Sequence, residues 1–167
     1  MKFLGTLLSF LILTGLQGQS TFHTVKDQMV PSFELATIDN DTFNIEDFKG
    51  KVTLLAFFGT RCPPCLRELP EVQAQLVDKH NKDKFQVIAI AATDNQSRLI
   101  DFRTKKDFDF IYVPDNRKKI FSLFAESSLP RTVVLDPTGK IIYQAYGYYK
   151  RPFDKMVKLI DEEVNKL

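Results

Sequence analysis

The apolar run from Val52 to Phe58 leads, through a short turn, to the only two cysteines of the chain, Cys62 and Cys65. No other stretch limits the possible folds so tightly. A run rich in Val, Leu and Phe that ends in a turn reads as a buried strand, here Lys51 to Phe58. Pro63 suits the first helical position, where its missing N–H costs nothing and its fixed φ is already helical. Cys62 then stands at a helix N-terminus, where unpaired N–H groups and the dipole favour an anion such as a thiolate. A strand that hands a Cys-x-x-Cys to a helix start suits thiol–disulfide exchange.

The rest of the chain supplies a frame for that junction. Phe33, Leu35, Phe43 and Ile45 alternate with polar residues around Asp39-Asn40-Asp41, which predicts a β-hairpin. Pro63 opens a helix to about His80, with Leu66, Leu69, Val72, Leu76 and Val77 on one face. Pro70 removes one of its hydrogen bonds and is expected to kink it. Phe85 to Ala92 reads as a second strand buried on both faces. A helix to about Lys106 follows, then a short strand at Phe110 to Val113 and a short helix at Lys118 to Phe124. Thr132 to Leu135 and Ile141 to Tyr146 are strands joined by Asp136-Pro137-Thr138-Gly139, a type I turn pattern. Pro152 to Leu167 carries Phe153, Met156, Val157, Ile160, Val164 and Leu167 at helical spacing. A β-α-β half followed by a β-β-α half predicts one α/β domain with a central mixed sheet and helices on both faces.

The N-terminus reads differently. Lys2 precedes an almost uncharged apolar run from Phe3 to Leu16, too short for a comfortable membrane span, and Gly18-Gln19-Ser20 offers small residues for cleavage. Residues 1–20 are therefore expected to be a signal peptide, with an uncleaved anchor as the rival, and Thr21 to Val30, polar and unpatterned, a flexible tether. The domain proper is residues 31–167. An exported chain with two cysteines belongs in an oxidising, extracytoplasmic compartment such as the periplasm. The chain has 23 basic and 21 acidic residues, so its balance gives no reason to expect nucleic acid or acidic lipid as partner. The clusters Arg103, Lys105, Lys106 and Arg117, Lys118, Lys119 are interleaved with Asp and read as solvated faces.

From Pro31 to Leu167 the sequence resembles the TlpA/ResA-like thiol–disulfide oxidoreductases of the thioredoxin superfamily. The resemblance is carried by Pro31-x-Phe33 with its hairpin, Lys49-Gly50-Lys51-Val52 before the strand, and Cys62-Pro63-Pro64-Cys65 followed by Arg67-Glu68-Leu69-Pro70. An extra strand–helix unit near Ile88 to Lys105, and Leu129-Pro130 before Thr132-Val133-Val134-Leu135-Asp136, complete it. It implies a thioredoxin-like fold, a cis Pro130 opposite the cysteines, and an incoming peptide that pairs beside Leu129 and Pro130. It also implies that Glu68 is the acid placed three positions after the second cysteine. Cys65 and Glu68 share a helix face by their spacing, and Ala56 falls where cytoplasmic thioredoxins hold a buried aspartate. Arg61 and Phe58 stand where the group usually has Trp. Arg61 puts a cation beside Cys62, which lowers its thiol pKa further, and with Pro63 it shapes the surface that meets a partner.

On this reading Cys62 is the nucleophile, Cys65 resolves the mixed disulfide and Glu68 takes the proton of Cys65. Exchange needs neither metal nor organic cofactor. The partners implied are protein disulfides, among them those of apocytochrome c, other secreted thiol proteins or metallochaperones, and a membrane thiol-reducing donor; the chain is expected to act as a monomer. Competing readings are weaker. An inert disulfide at this spacing closes too small a loop to restrict the unfolded chain much. Structural zinc wants four ligands, and the chain adds only His23 and His80 at unrelated positions. A copper-carrying relative would supply a later His, and none follows His80. Peroxiredoxin chemistry needs a Thr where Gly59 stands. The non-catalytic alternative is a docking or metallochaperone-type module that keeps the fold. His80 reads as a favourable charge at a helix end, and Tyr143, Tyr146, Tyr148 and Tyr149 as strand packing.

Overall fold

The computed structural model describes residues 21–167, so the expected signal peptide at 1–20 lies outside the described residues. Two short strands come first, β1 (Glu34–Ala36) and β2 (Thr42–Asn44), paired antiparallel as the predicted hairpin. Ile45, expected to continue the second strand, instead begins a 3-10 turn, Ile45–Phe48, capped by Asn44 and Asp47. Then follow β3 (Val52–Phe58), α1 (Pro63–Val72), β4 (Phe85–Ala91), α2 (Gln96–Lys106) and β5 (Ile111–Pro114). The chain ends with α3 (Phe121–Phe124), β6 (Arg131–Leu135), β7 (Ile141–Tyr146) and α4 (Lys150–Val164).

The main sheet has the order β5-β4-β3-β6-β7, with β4 parallel to both β3 and β5, and β6 antiparallel to both β3 and β7. It is the central mixed sheet expected. Because side chains alternate along a strand, β3 feeds two cores. Val52, Leu54, Ala56 and Phe58 face α1, α2 and α4, meeting Leu69, Leu99, Phe102, Met156 and Ile160. Leu55 and Phe57 face the hairpin and α3, meeting Phe33, Leu35, Phe121 and Phe124. Many of the fifteen phenylalanines find their place here. Phe57 packs on Phe121 and Phe124 with ring centroids 5.7 and 5.0 Å apart, and on the other face Phe58 packs on Phe102 at 5.4 Å.

Three further expectations change. Residues 21–30 are not a loose tether. Phe22 bridges Ala125 and Met29 bridges Lys140. The Asp27 N–H donates to Ile141 O and the Ile141 N–H to Gln28 O, at 2.7 and 2.8 Å. This segment lends its backbone to β7, an edge strand whose outer N–H and C=O groups need partners. The long helix from Pro63 does not run regularly to His80. Pro70 has no N–H to give the preceding turn, and from Gln73 to Val77 the helix widens into a π turn closed by the Asp78 N–H on Gln73 O. The helix predicted from Lys118 starts only at Phe121, because Lys118 takes a left-handed φ of 55° and the Asp115 carboxylate accepts the Ile120 and Phe121 amides. Among the described residues no helix is long and apolar enough to cross a membrane.

Candidate active site

β3 ends at Phe58, and Gly59 to Arg61 carry the chain to Cys62, which caps α1. The Cys65 N–H points at Cys62 Sγ, 3.3 Å away, and the Leu66 N–H donates to Cys62 O at 3.0 Å. The Cys65 amide is one that a helix start leaves without a carbonyl partner, and on Sγ it stabilises a thiolate there. Pro63 and Pro64 occupy the first two helical positions. Cys62 and Cys65 are joined as a disulfide, with Cα atoms 5.2 Å apart. Cys65 is fully buried, whereas Cys62 is only half-buried, flanked by the exposed Arg61 and Pro63. The sulfur a partner can reach is therefore that of Cys62.

The register of β3 and β6 brings the second loop to the same end of the sheet. Thr132 pairs with Ala56 and Arg131 with Phe57, so Pro130 comes level with Phe58, the last residue before the cysteine loop. The Leu129–Pro130 peptide bond is cis. Leu129 leans on the cysteine loop, since a β-carbon built on Gly59 would lie 3.7 Å from its Cδ1. The same β-carbon would sit 2.6 Å from Thr93 Oγ1, so the loop fits only a glycine at 59 without rearrangement.

Glu68, one turn beyond Cys65, is 6% exposed, and its Oε1 accepts the Thr132 hydroxyl at 3.0 Å. Burial pushes its pKa up to about 7, while the hydrogen bond pulls the other way. A carboxyl poised near neutrality suits a proton acceptor and donor. Around it lie Tyr143, Tyr148, Phe153 and Met156. Burial raises the pKa of Tyr143, and the nearby Glu68 charge raises it further. Tyr143, Tyr148 and the largely exposed Tyr149 thus belong to the wall of the Glu68 crevice, while Tyr146 is exposed outside it.

Two contributors escaped the sequence reading. Thr132 is one; its only sequence signal is a hydroxyl inside an apolar strand. Asp94 is the other. Its buried carboxylate accepts the Thr60 N–H and the Thr60 hydroxyl, each at 2.8 Å, and meets Arg98 at 3.4 Å. Burial alone would raise its pKa, but the hydrogen bonds from Thr60, Arg98 and Thr93 hold it below the usual carboxylate value. Asp94 thereby ties down the residue two places before Cys62. Replacing Asp94 with Ala strands those donors and is expected to cost about 1–3 kcal/mol in urea unfolding. The two histidines stand apart from the cysteines. His23 Nδ1 meets Ser122 O at 2.9 Å, and His80, beyond a simple helix-end role, pairs with Asp161 of α4 at 2.8 Å. Among the described residues no three His, Cys, Asp or Glu side chains gather as a metal site.

The sequence profile of the AhpC/TSA family matches residues 27–144. A thiol-disulfide oxidoreductase ResA from Bacillus thuringiensis (strain Al Hakam) is 28% identical over 145 residues, 82% of this chain and 83% of the relative. Among solved structures, one from Bacteroides thetaiotaomicron, provisionally named a protein disulfide isomerase, superposes with a TM-score of 0.82 at 23% identity, covering 87% of this chain and 94% of the other. One from Neisseria meningitidis, provisionally named a thioredoxin, gives 0.72 at 27% identity, over 84% and 92%. The fold thus has thioredoxin-like counterparts.

Proposed function

Because the chain belongs to the AhpC/TSA family, as a TlpA/ResA-like thiol–disulfide oxidoreductase, we propose that it reduces disulfides of partner proteins outside the cytoplasm through the Cys62/Cys65 dithiol. In the reduced protein the Cys62 thiolate attacks one sulfur of the partner disulfide. A Cys62–partner bond forms, the partner's S–S bond breaks, and its other sulfur leaves as a thiolate. Cys65 then gives its proton to the Glu68 carboxylate and attacks Cys62 Sγ. The Cys62–Cys65 bond closes and the partner's second sulfur departs reduced. Two electrons pass to the partner, and a thiol donor at the membrane returns them to the enzyme. Arg61, Pro63, Leu129 and Pro130 frame the place where the partner's chain lies.

The observation that carries this reading is the buried Glu68 carboxyl one turn from Cys65, held by Thr132, with Cys62 alone within reach of solvent. Location outside the cytoplasm rests on the leader-like residues 1–20 and on the chemistry of a dithiol that works among disulfides. The test is insulin reduction driven by dithiothreitol: the protein is expected to accelerate precipitation of the B chain well beyond the thiol alone. A rate equal to dithiothreitol alone would mean a docking module instead of a catalyst.

A further inference from the structure

A groove of about 380 Å³ opens beside the loop that leads to Cys62, on the α2 side and away from the Glu68 crevice. Thr60 and Arg61, the two residues before Cys62, form one end of it, and Leu66, whose N–H bonds to Cys62 O, forms part of its floor with Phe102. Its rim carries Arg61, Arg98, Lys105 and Lys106 against a single carboxylate, Asp101. Arg98 is engaged by the buried Asp94. Arg61, Lys105 and Lys106 form no ion pair among the described residues. In a chain whose charges nearly balance overall, that is a local excess of positive charge next to the nucleophile.

We infer that this groove is a specificity site for substrate polypeptides that carry acidic side chains next to their disulfide cysteine. This rests on the oxidoreductase reading. A polypeptide is the occupant because Thr60 and Arg61, the residues just before Cys62, line the groove, so a chain held at Cys62 by covalent chemistry can run out along that side of the cysteine loop. An aliphatic side chain fits the Leu66–Phe102 floor, and Asp or Glu beside it meets the rim. Charges arranged in this way speed encounter and select partners more than they tighten the final complex. The effect falls as salt shortens the screening length.

The test uses three peptides, identical except beside one cysteine, where they read Asp-Asp-Leu, Asn-Asn-Leu or Lys-Lys-Leu. Each cysteine is activated as a mixed disulfide with neutral 2-thiopyridine, and release of the pyridinethione is followed after mixing with the reduced protein. At low ionic strength the acidic peptide is expected to react about tenfold faster than the basic one, with the neutral peptide between, and the gap to close near 1 M salt. In Lys105→Glu/Lys106→Glu the order should invert, and in Lys105→Gln/Lys106→Gln, which disturbs the helix end less, it should flatten. These two lysines are chosen because Arg61 acts on the thiol as well. Equal rates for all three peptides, or an acidic preference untouched in both variants, overturns the groove assignment alone. Failure to react with any of them overturns the catalytic reading and the groove with it.

Discussion

Exchange of Cys65 for Ser should turn the protein into a trap: incubated with a disulfide substrate, it should accumulate an adduct through Cys62 that does not turn over. The geometry explains why. Cys62 is the more accessible member of the pair and its Sγ accepts the Cys65 N–H at the helix start, so it remains a competent thiolate in the variant. What disappears is the second sulfur, buried and already within bonding reach of the first. Release then depends on an external thiol in solution. Losing a positioned intramolecular attacker is expected to slow release by on the order of 10³-fold or more. In the mirror variant, Cys62→Ser, the remaining sulfur of Cys65 is fully buried and no adduct should form. Mass spectrometry of the non-reduced mixtures decides both. Adducts on Cys65, or none on Cys62, would reverse the assignment of nucleophile and resolver.

The junction that presents the two cysteines was legible in the sequence because it is local. Strand, turn, Cys-x-x-Cys and Glu68 lie within one short stretch, and the apolar run at Val52–Phe58 and the Pro at 63 each announce their element through spacing alone. The turn at Asp136–Gly139 was legible for the same reason, and Gly139 takes the positive φ that closes it. What was hidden depends on register between distant segments. Thr132 reaches Glu68 across 64 residues only because β6 lies antiparallel to β3 with Thr132 opposite Ala56. Asp94 reaches Thr60 across 34 residues, from the loop after the neighbouring strand. Residues 21–30 dock through their backbone, which leaves no periodic side-chain pattern to read. Their anchor is visible only in three dimensions: Phe22 lies 4.4 Å from the Arg131 guanidinium, directly after Pro130.

Glu68→Gln should separate the catalytic from the structural consequences of burying a carboxyl. The amide keeps the shape and can still bond the Thr132 hydroxyl, but it neither ionises nor takes a proton. In the parent, Glu68 holds its proton up to about pH 7 in the folded state against an ordinary value of 4.5. The folded state therefore binds more protons than the unfolded chain between those values, and stability falls as pH rises through that window. The difference corresponds to about 3 kcal/mol at about 1.4 kcal/mol per tenfold. Gln removes this loss, so the variant should be more stable than the parent by about 1–3 kcal/mol in urea at pH 8, and the advantage should vanish near pH 4. Activity should move the other way. In single-turnover release of the mixed disulfide, the parent's resolving step should rise with pH through about 7, as Glu68 ionises and can accept the Cys65 proton. The variant should lose that inflection and run about 100-fold slower above it. A more stable protein with a slower resolving step is the signature of a buried group kept for its chemistry. Parental rates across the whole pH range would leave Glu68 as a buried acid with no part in the exchange.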